Sequence, residues 1–341
     1  MKKLVIAGIE ILPGETRQIE IPVVKLCTNT DMSMPVYVVR SKKDGPTFFV
    51  SAAVHGDELN GIEIIRRLIN LKRFKLLKGT LILVPMVNVY GVLNQSRYMP
   101  DRRDLNRCFP GSANGSLAGI MAHTFLKEIV SQCEYGIDLH TGAIHRSNLP
   151  QIRANLNDEE TLSLAQAFAV PVLLNSTLRD GSLRQAAVEH GTRILLYEAG
   201  EALRFDELSI RAGVKGIQNV LSFLGMLGKI RRKNTVLPFI ANTSAWLRAN
   251  CSGVVFQVKK LGDRVKQGDC LAKISDPFGS LLGDIVANRD GIIIGNQNIP
   301  LVQQGEAMFH VAYFIDEDDG EIIEQLEKLQ DDLLPEYVNL D

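Results

Sequence analysis

Three things are scarce in this chain of 341 residues, and each scarcity removes a class of function. No apolar run approaches the roughly 20 residues that a membrane-spanning helix needs. Met1-Lys2-Lys3 is followed only by Leu-Val-Ile-Ala before Gly8 and Glu10 break the pattern, so no leader is read there and a cytoplasmic protein is expected. Excess charge is lacking as well. With 38 Lys and Arg against 39 Asp and Glu, bulk electrostatics predict neither a nucleic-acid nor a membrane partner. Cysteine is sparse, and Cys27, Cys108, Cys133, Cys251 and Cys270 form no C-x-x-C pair, which argues against a cysteine zinc cage and against a disulfide framework.

What is present is a regular alternation. Residues 1–45 hold short alternating segments such as Arg17 to Val24 and Met34 to Val39, a strand-rich entry. From Gly45 to Gly228 apolar strand patterns near 47–54, 80–88, 135–140, 170–175 and 193–198 alternate with helical patterns near 58–73, 117–133, 158–168, 181–190 and 206–227. That predicts an α/β fold with a mixed, mostly parallel sheet covered by helices on both faces. Residues 1–235 are read as one domain, closed by the charged connector Arg231-Arg232-Lys233.

Helical spacing then disappears. Residues 240–314 show short apolar segments punctuated by glycine, among them Gly253-Val-Val-Phe and Gly268-Asp-Cys-Leu-Ala-Lys-Ile, and predict a small all-β domain. Its cadence resembles the barrel-sandwich fold of biotinyl and lipoyl carriers. The hairpin that would present a modified lysine, Asp276 to Gly283, contains none, so packing beside the first domain is expected and a swinging arm is not. Residues 315–341 are acidic, with Ile322, Ile323, Leu326 and Leu329 at helical spacing, and predict a surface helix.

Chemistry-bearing residues cluster where strands end. The turn Val54-His55-Gly56-Asp57-Glu58 leaves an apolar strand and enters an amphipathic run, at the sheet edge where open α/β folds bind ligands. An imidazole and a carboxylate three residues apart make half of a zinc site; taken alone, Glu58 reads more plainly as a helix cap. A third ligand, His140, ends the apolar segment Tyr135-Gly-Ile-Asp-Leu, and two histidines with one glutamate leave a position open for water, as catalytic zinc requires. Asp138 sits two residues before His140, where it can orient a ligand or cap a turn. Glu198 ends the apolar strand Ile194-Leu-Leu-Tyr197, where an unpaired charge is costly, and is a candidate general base. Between Arg97 and Gly111 lies an arginine-rich loop. Asn106 and Arg107 suit a substrate carboxylate, and Arg97, Arg102 or Arg103 suit the polarised carbonyl.

Taken in order, His55-Gly-Asp-Glu58, Asp104-Leu-Asn-Arg107, His140 and Tyr197-Glu198-x-Gly200 resemble the succinylglutamate desuccinylase and aspartoacylase family, part of the wider zinc carboxypeptidase-like group. The resemblance implies one zinc per chain on His55, Glu58 and His140, Glu198 as base, and Asn106 with Arg107 as the carboxylate pair. It also implies an oxyanion arginine upstream; Arg97-Tyr98 matches the family's Arg-Tyr pair but is spaced two residues further from Asn106, so Arg102 and Arg103 stay in contention. The implied activity is hydrolysis of an N-acyl amino acid or a related small carboxylate-bearing amide. A carboxypeptidase and a non-catalytic binding protein are the alternatives, and a homo-oligomer is compatible with either.

Overall fold

The computed structural model describes residues 2–71, 74–230 and 238–313; the Arg231-Arg232-Lys233 connector and the acidic tail lie outside the described residues. Four parallel strands form the centre of one large sheet, in the order Arg193–Glu201, Tyr135–Gly142, Thr47–Ala52, Thr80–Val84. Thr47–Ala52 reads as a continuous apolar run because both of its faces are covered. Phe48, Val50 and Ala52 enter one core, while Phe49 enters the other.

The sheet is mixed, as expected, and its four central strands are flanked by antiparallel ones on both sides. The N-terminal hairpin of Thr16–Lys25 and Asp31–Arg40 adds two antiparallel strands beside Thr80–Val84. On the other side Arg146–Ala154, a strand not expected from the sequence, runs antiparallel to Arg193–Glu201. Its sequence Arg-Ser-Asn-Leu-Pro-Gln-Ile-Arg-Ala disguises it, since proline inside a run argues against a central strand. Pro150 is tolerated because it falls opposite the register shift between Glu198 and Gly200.

Helices lie on both faces, as expected. Asn60–Ile69, Glu159–Phe168 and Glu207–Phe223 pack on one side; Leu117–Glu128 and Leu183–Glu189 pack on the other. Four of the five begin at a Ser or Asp whose side chain accepts a backbone N–H of the first turn: Ser116, Asp158, Ser182 and Asp206. The exception is Asn60–Ile69, whose N-cap Leu59 has no side-chain acceptor. Among the described residues no helix is long and apolar enough to cross a membrane.

Residues 238–313 carry strands and turns only, as the glycine punctuation predicts. They do more than pack beside the rest. Gly291–Gln297 pairs with the first half of Arg146–Ala154, with Gly295 opposite Asn148, and Ala307–Tyr313 and Ser244–Arg248 follow in the same sheet. A further sheet of four strands, Leu281–Val286, Cys270–Ser275, Gly253–Gln257 and Leu301–Val302, closes over a core containing Leu271, Ile274, Met308 and Phe309.

Close backbone approach governs the turn after Thr47–Ala52. A Cβ on Gly56 would lie 1.9 Å from the Gly91 carbonyl carbon, and backbone cannot yield as a flexible side chain can. Gly56→Ala is therefore expected to cost on the order of 1–3 kcal/mol of stability by overpacking. Chemical denaturation measures it, and an unchanged midpoint would contradict the packing described.

Candidate active site

The site follows from how two neighbouring strands end. After Ala52 the chain turns at Ala53, which adopts left-handed backbone at φ 53°. A non-glycine residue there costs on the order of 1 kcal/mol. The Ala52 and Ala53 carbonyls hold the turn by accepting the N–H groups of Val87 and Asn88 at 3.0 and 2.9 Å. His55 and Glu58 follow, and His140 arrives on the adjacent strand.

Glu58 is not used as a helix cap. Its Oε1 lies 2.7 Å from His55 Nδ1 and its Oε2 lies 2.7 Å from His140 Nδ1. All three side chains are buried, and one donor atom from each lies within 4.8 Å of the others. Behind each imidazole stands another carboxylate. Asp104 Oδ1 is 3.1 Å from His55 Nε2, and Asp138 Oδ2 is 2.7 Å from His140 Nε2. Asp138 is in turn fixed by the Ser51 hydroxyl, which donates to its other oxygen at 2.7 Å. Carboxylates at the remote nitrogens orient metal-binding histidines in this way.

Charge favours a cation at this point. Burial works against charged imidazoles, yet Glu58 and Asp104 outweigh it at His55, and Asp138 and Glu58 outweigh it at His140, so both are held above the ordinary histidine value. Burial would raise Glu58, but the two imidazoles hold it well below the usual carboxylate range. Glu58, Asp104 and Asp138 bring three negative charges; Arg97, at 3.2 Å from Glu58 and 3.0 Å from Asp104, returns one. The excess of negative charge is met either by protons on the histidines or by a divalent cation. The set of two imidazoles and a carboxylate suits a first-row metal.

Glu198 enters through strand register, beside His140 on one neighbour and Gln151 on the other. Asn148 Nδ2 donates to Glu198 Oε2 at 2.6 Å, and an Arg153 guanidinium nitrogen lies 3.4 Å from the same oxygen. Of the three arginines considered for the carbonyl, Arg97 lines the pocket; Arg102 and Arg103 are exposed, and Arg103 pairs with Asp101. Asn106 Oδ1 accepts the Leu183 N–H at 2.9 Å, which ties the Asp104-Leu-Asn-Arg107 turn to the start of Leu183–Glu189. Arg107 also reaches the pocket, where Asp104 opposes the burial that lowers its pKa.

The pocket has a volume of about 560 Å³ and contains residues that the motifs did not reveal: Arg146, Arg153, Arg179, Arg184 and Trp246. Arg184 is 9% exposed, and its NH1 has no partner among the described residues. Burial, reinforced by Arg153, lowers Arg184 to about 10, still cationic at neutral pH. The signal that could have found two of these is the strand pattern of Arg146–Ala154, with polar side chains at intervals that suit a pocket wall.

Fold and site together define a mixed α/β protein with a candidate metal centre at the carboxyl edge of its parallel strands, inside an arginine-rich pocket. The chain belongs to the succinylglutamate desuccinylase/aspartoacylase family, whose catalytic-domain model matches residues 44–224. An N-alpha-acetyl-L-2,4-diaminobutyric acid deacetylase of Halomonas elongata is 27% identical over 296 residues, 83% of this chain and 86% of the relative. Two solved structures share the fold. The product-bound ectoine utilization protein EutE (DoeB) of Ruegeria pomeroyi has a TM-score of 0.78 at 23% identity, over 89% of this chain and 98% of its own. A succinylglutamate desuccinylase/aspartoacylase from Rhodobacter sphaeroides has 0.76 at 24%, over 88% and 96%.

The neighbouring carboxylates favour the protonated forms of His55 and His140, so a metal captured there competes with protons. Zinc binding is therefore expected to release protons near neutral pH and to weaken as pH falls. Calorimetric titration in buffers of different ionisation enthalpy counts them; binding without proton release would contradict the charge balance.

Proposed function

We propose that this chain is a zinc-dependent deacylase that hydrolyses the amide bond of an N-acyl amino acid. The observation that carries the reading is the buried His55, Glu58 and His140 group with Glu198 in register beside His140, at the floor of an arginine-lined pocket. A binding protein has no need of that combination.

A zinc ion held by the three residues supplies Lewis acidity toward the amide carbonyl and the attacking water. The chain's own groups divide the remaining work. Glu198, held by Asn148 and flanked by Arg153, takes the proton from the attacking water and returns it to the leaving nitrogen. Arg97 stays charged, since Glu58 and Asp104 outweigh the burial that works against it, and it donates to the carbonyl oxygen as that oxygen gains charge. Asn106 and Arg107 take the substrate carboxylate. The all-β segment within residues 238–313 lends Trp246 to the pocket wall. The setting read for this chemistry is the cytoplasm.

The arginines also bear on the substrate's remaining group. Arg107, Arg179 and Arg184 line the pocket together, and the unpartnered Arg184 NH1 supports an acidic or neutral amino-acid side chain over a cationic one. N-acetyl-L-aspartate or N-acetyl-L-glutamate is expected to exceed Nα-acetyl-L-2,4-diaminobutyrate in kcat/KM by roughly tenfold or more, a difference within the reach of buried polar recognition. The opposite ranking would remove the anionic part of the reading, and turnover confined to C-terminal peptides would make the protein a carboxypeptidase.

Glu198→Gln keeps the shape and removes the base. It is expected to retain zinc at the wild-type stoichiometry and lose on the order of 10²- to 10⁴-fold in kcat. A metal-replete variant with wild-type turnover would end the assignment of Glu198.

A further inference from the structure

The C-terminal strands reach the site at a second point besides Trp246. Ser244–Arg248 and Ala307–Tyr313 pair antiparallel, with Trp246 opposite His310, and the two rings stack at 4.8 Å between centroids with 12° between planes. On its other side His310 faces Gly295, where a Cβ would lie 3.2 Å from that of His310 and 2.9 Å from Asn148 Oδ1. The absence of a side chain at residue 295 leaves His310 and Asn148 their places. His310 is 4% exposed.

Both ring nitrogens have partners. Nε2 lies 2.9 Å from Ser244 Oγ, and Nδ1 lies 3.5 Å from the Arg153 nitrogen that is also 3.4 Å from Glu198 Oε2. Arg153 is in a difficult position. Arg184 is near enough for its own pKa to be lowered by Arg153, and Arg153 Nε is buried without a partner. Among the described residues its polar contacts are therefore two, the Glu198 carboxylate and His310 Nδ1. Burial, with Arg153 adding to it, pushes His310 down to about 3, so the ring stays neutral and can accept at Nδ1.

We propose that His310 is a positioning residue, which holds the Arg153 guanidinium against Glu198 from strands near the far end of the chain. The proposal rests on the deacylase reading for the role of Glu198. A guanidinium between two acceptors has one preferred place, whereas one left with a single acceptor is free to turn toward solvent or substrate. The carboxylate it flanks would then lose one of its two neighbours.

The test is a set of full-length variants, His310→Ala, His310→Asn, Arg153→Gln and the double variant His310→Ala/Arg153→Gln, assayed with zinc on N-acetyl amino acids and crystallised. His310→Ala is expected to lower kcat about tenfold to a hundredfold, the scale of an active-site misplacement of about 1 Å, with KM changing less than about threefold. His310→Asn, whose amide oxygen can accept where Nδ1 does, should recover most of the loss. Because His310 acts through Arg153, the double variant should be no slower than Arg153→Gln alone. Wild-type kcat in His310→Ala, or additive losses in the double variant, would overturn the proposal. If His310→Ala does not fold, Ser244→Ala, which frees Nε2, should lower kcat by a smaller factor, and an unchanged kcat there would overturn it too. Should the wild type hydrolyse none of these substrates, the deacylase reading has failed, and the crystal structures still decide the positioning. Arg153 displaced from Glu198 in His310→Ala supports it, and Arg153 in its wild-type place refutes it.

Discussion

A buried carboxylate shared by two imidazoles is the constraint on which the rest of this structure depends. Glu58 is 2% exposed, and a charge so placed is tolerated only if it is surrounded by partners. His55 comes from the same turn, His140 from the next strand, and Arg97 from a loop beyond the Thr80–Val84 strand. Each of these has a further carboxylate of its own, Asp104 beside His55 and Arg97 and Asp138 beside His140. The order of the central strands follows the same requirement, because only adjacent parallel strands bring residues 55–58 and 140 to one edge. The chain accepts left-handed backbone at Ala53 and a helix without a side-chain cap at Leu59 to make that edge.

Much of this was legible in the sequence, for a physical reason. A strand covered on both faces must be apolar, so His55, His140 and Glu198 stand out as polar residues at the ends of apolar segments. The helices were legible through their apolar spacing, and the structure adds the local caps Ser116, Asp158, Ser182 and Asp206 that begin four of them. The Arg146–Ala154 strand was not, because its pocket-facing side chains are polar and Pro150 interrupts it. With that strand went Asn148 and Arg153, the two groups at Glu198. Arg102 and Arg103 were indistinguishable from Arg97 by residue type. What separates them is backbone direction: Arg102 lies at a left-handed turn that leaves it on the surface, and no spacing rule reports that. Trp246 and His310 lie beyond reach for another reason, since their nearness to Glu198 depends on strand pairing across more than a hundred residues.

The sheet forks at Arg146–Ala154. Its first half pairs with Gly291–Gln297 and its second half with Val172–Asn175, while Arg193–Glu201 runs along its opposite edge. Asn148, at the fork, meets Gly295 on one side and sends its amide to Glu198 on the other. Specificity and architecture therefore share residues here: the groups that make the strand look unlike a strand are the ones that furnish the pocket.

That fork has a consequence for the order in which a nascent chain can finish its work. A ribosome releases residues 146–201 well before residues 291–313, so the front half of the wall strand must wait with an open edge while nearly a hundred more residues are made. An edge of this kind recruits other chains when it is apolar. Here it begins Arg146-Ser147-Asn148, polar enough to remain in water until Gly291–Gln297 arrives. The polar lining of the pocket thus also keeps this edge compatible with water, and a newly made chain closes this wall only when residues 291–297 have been added.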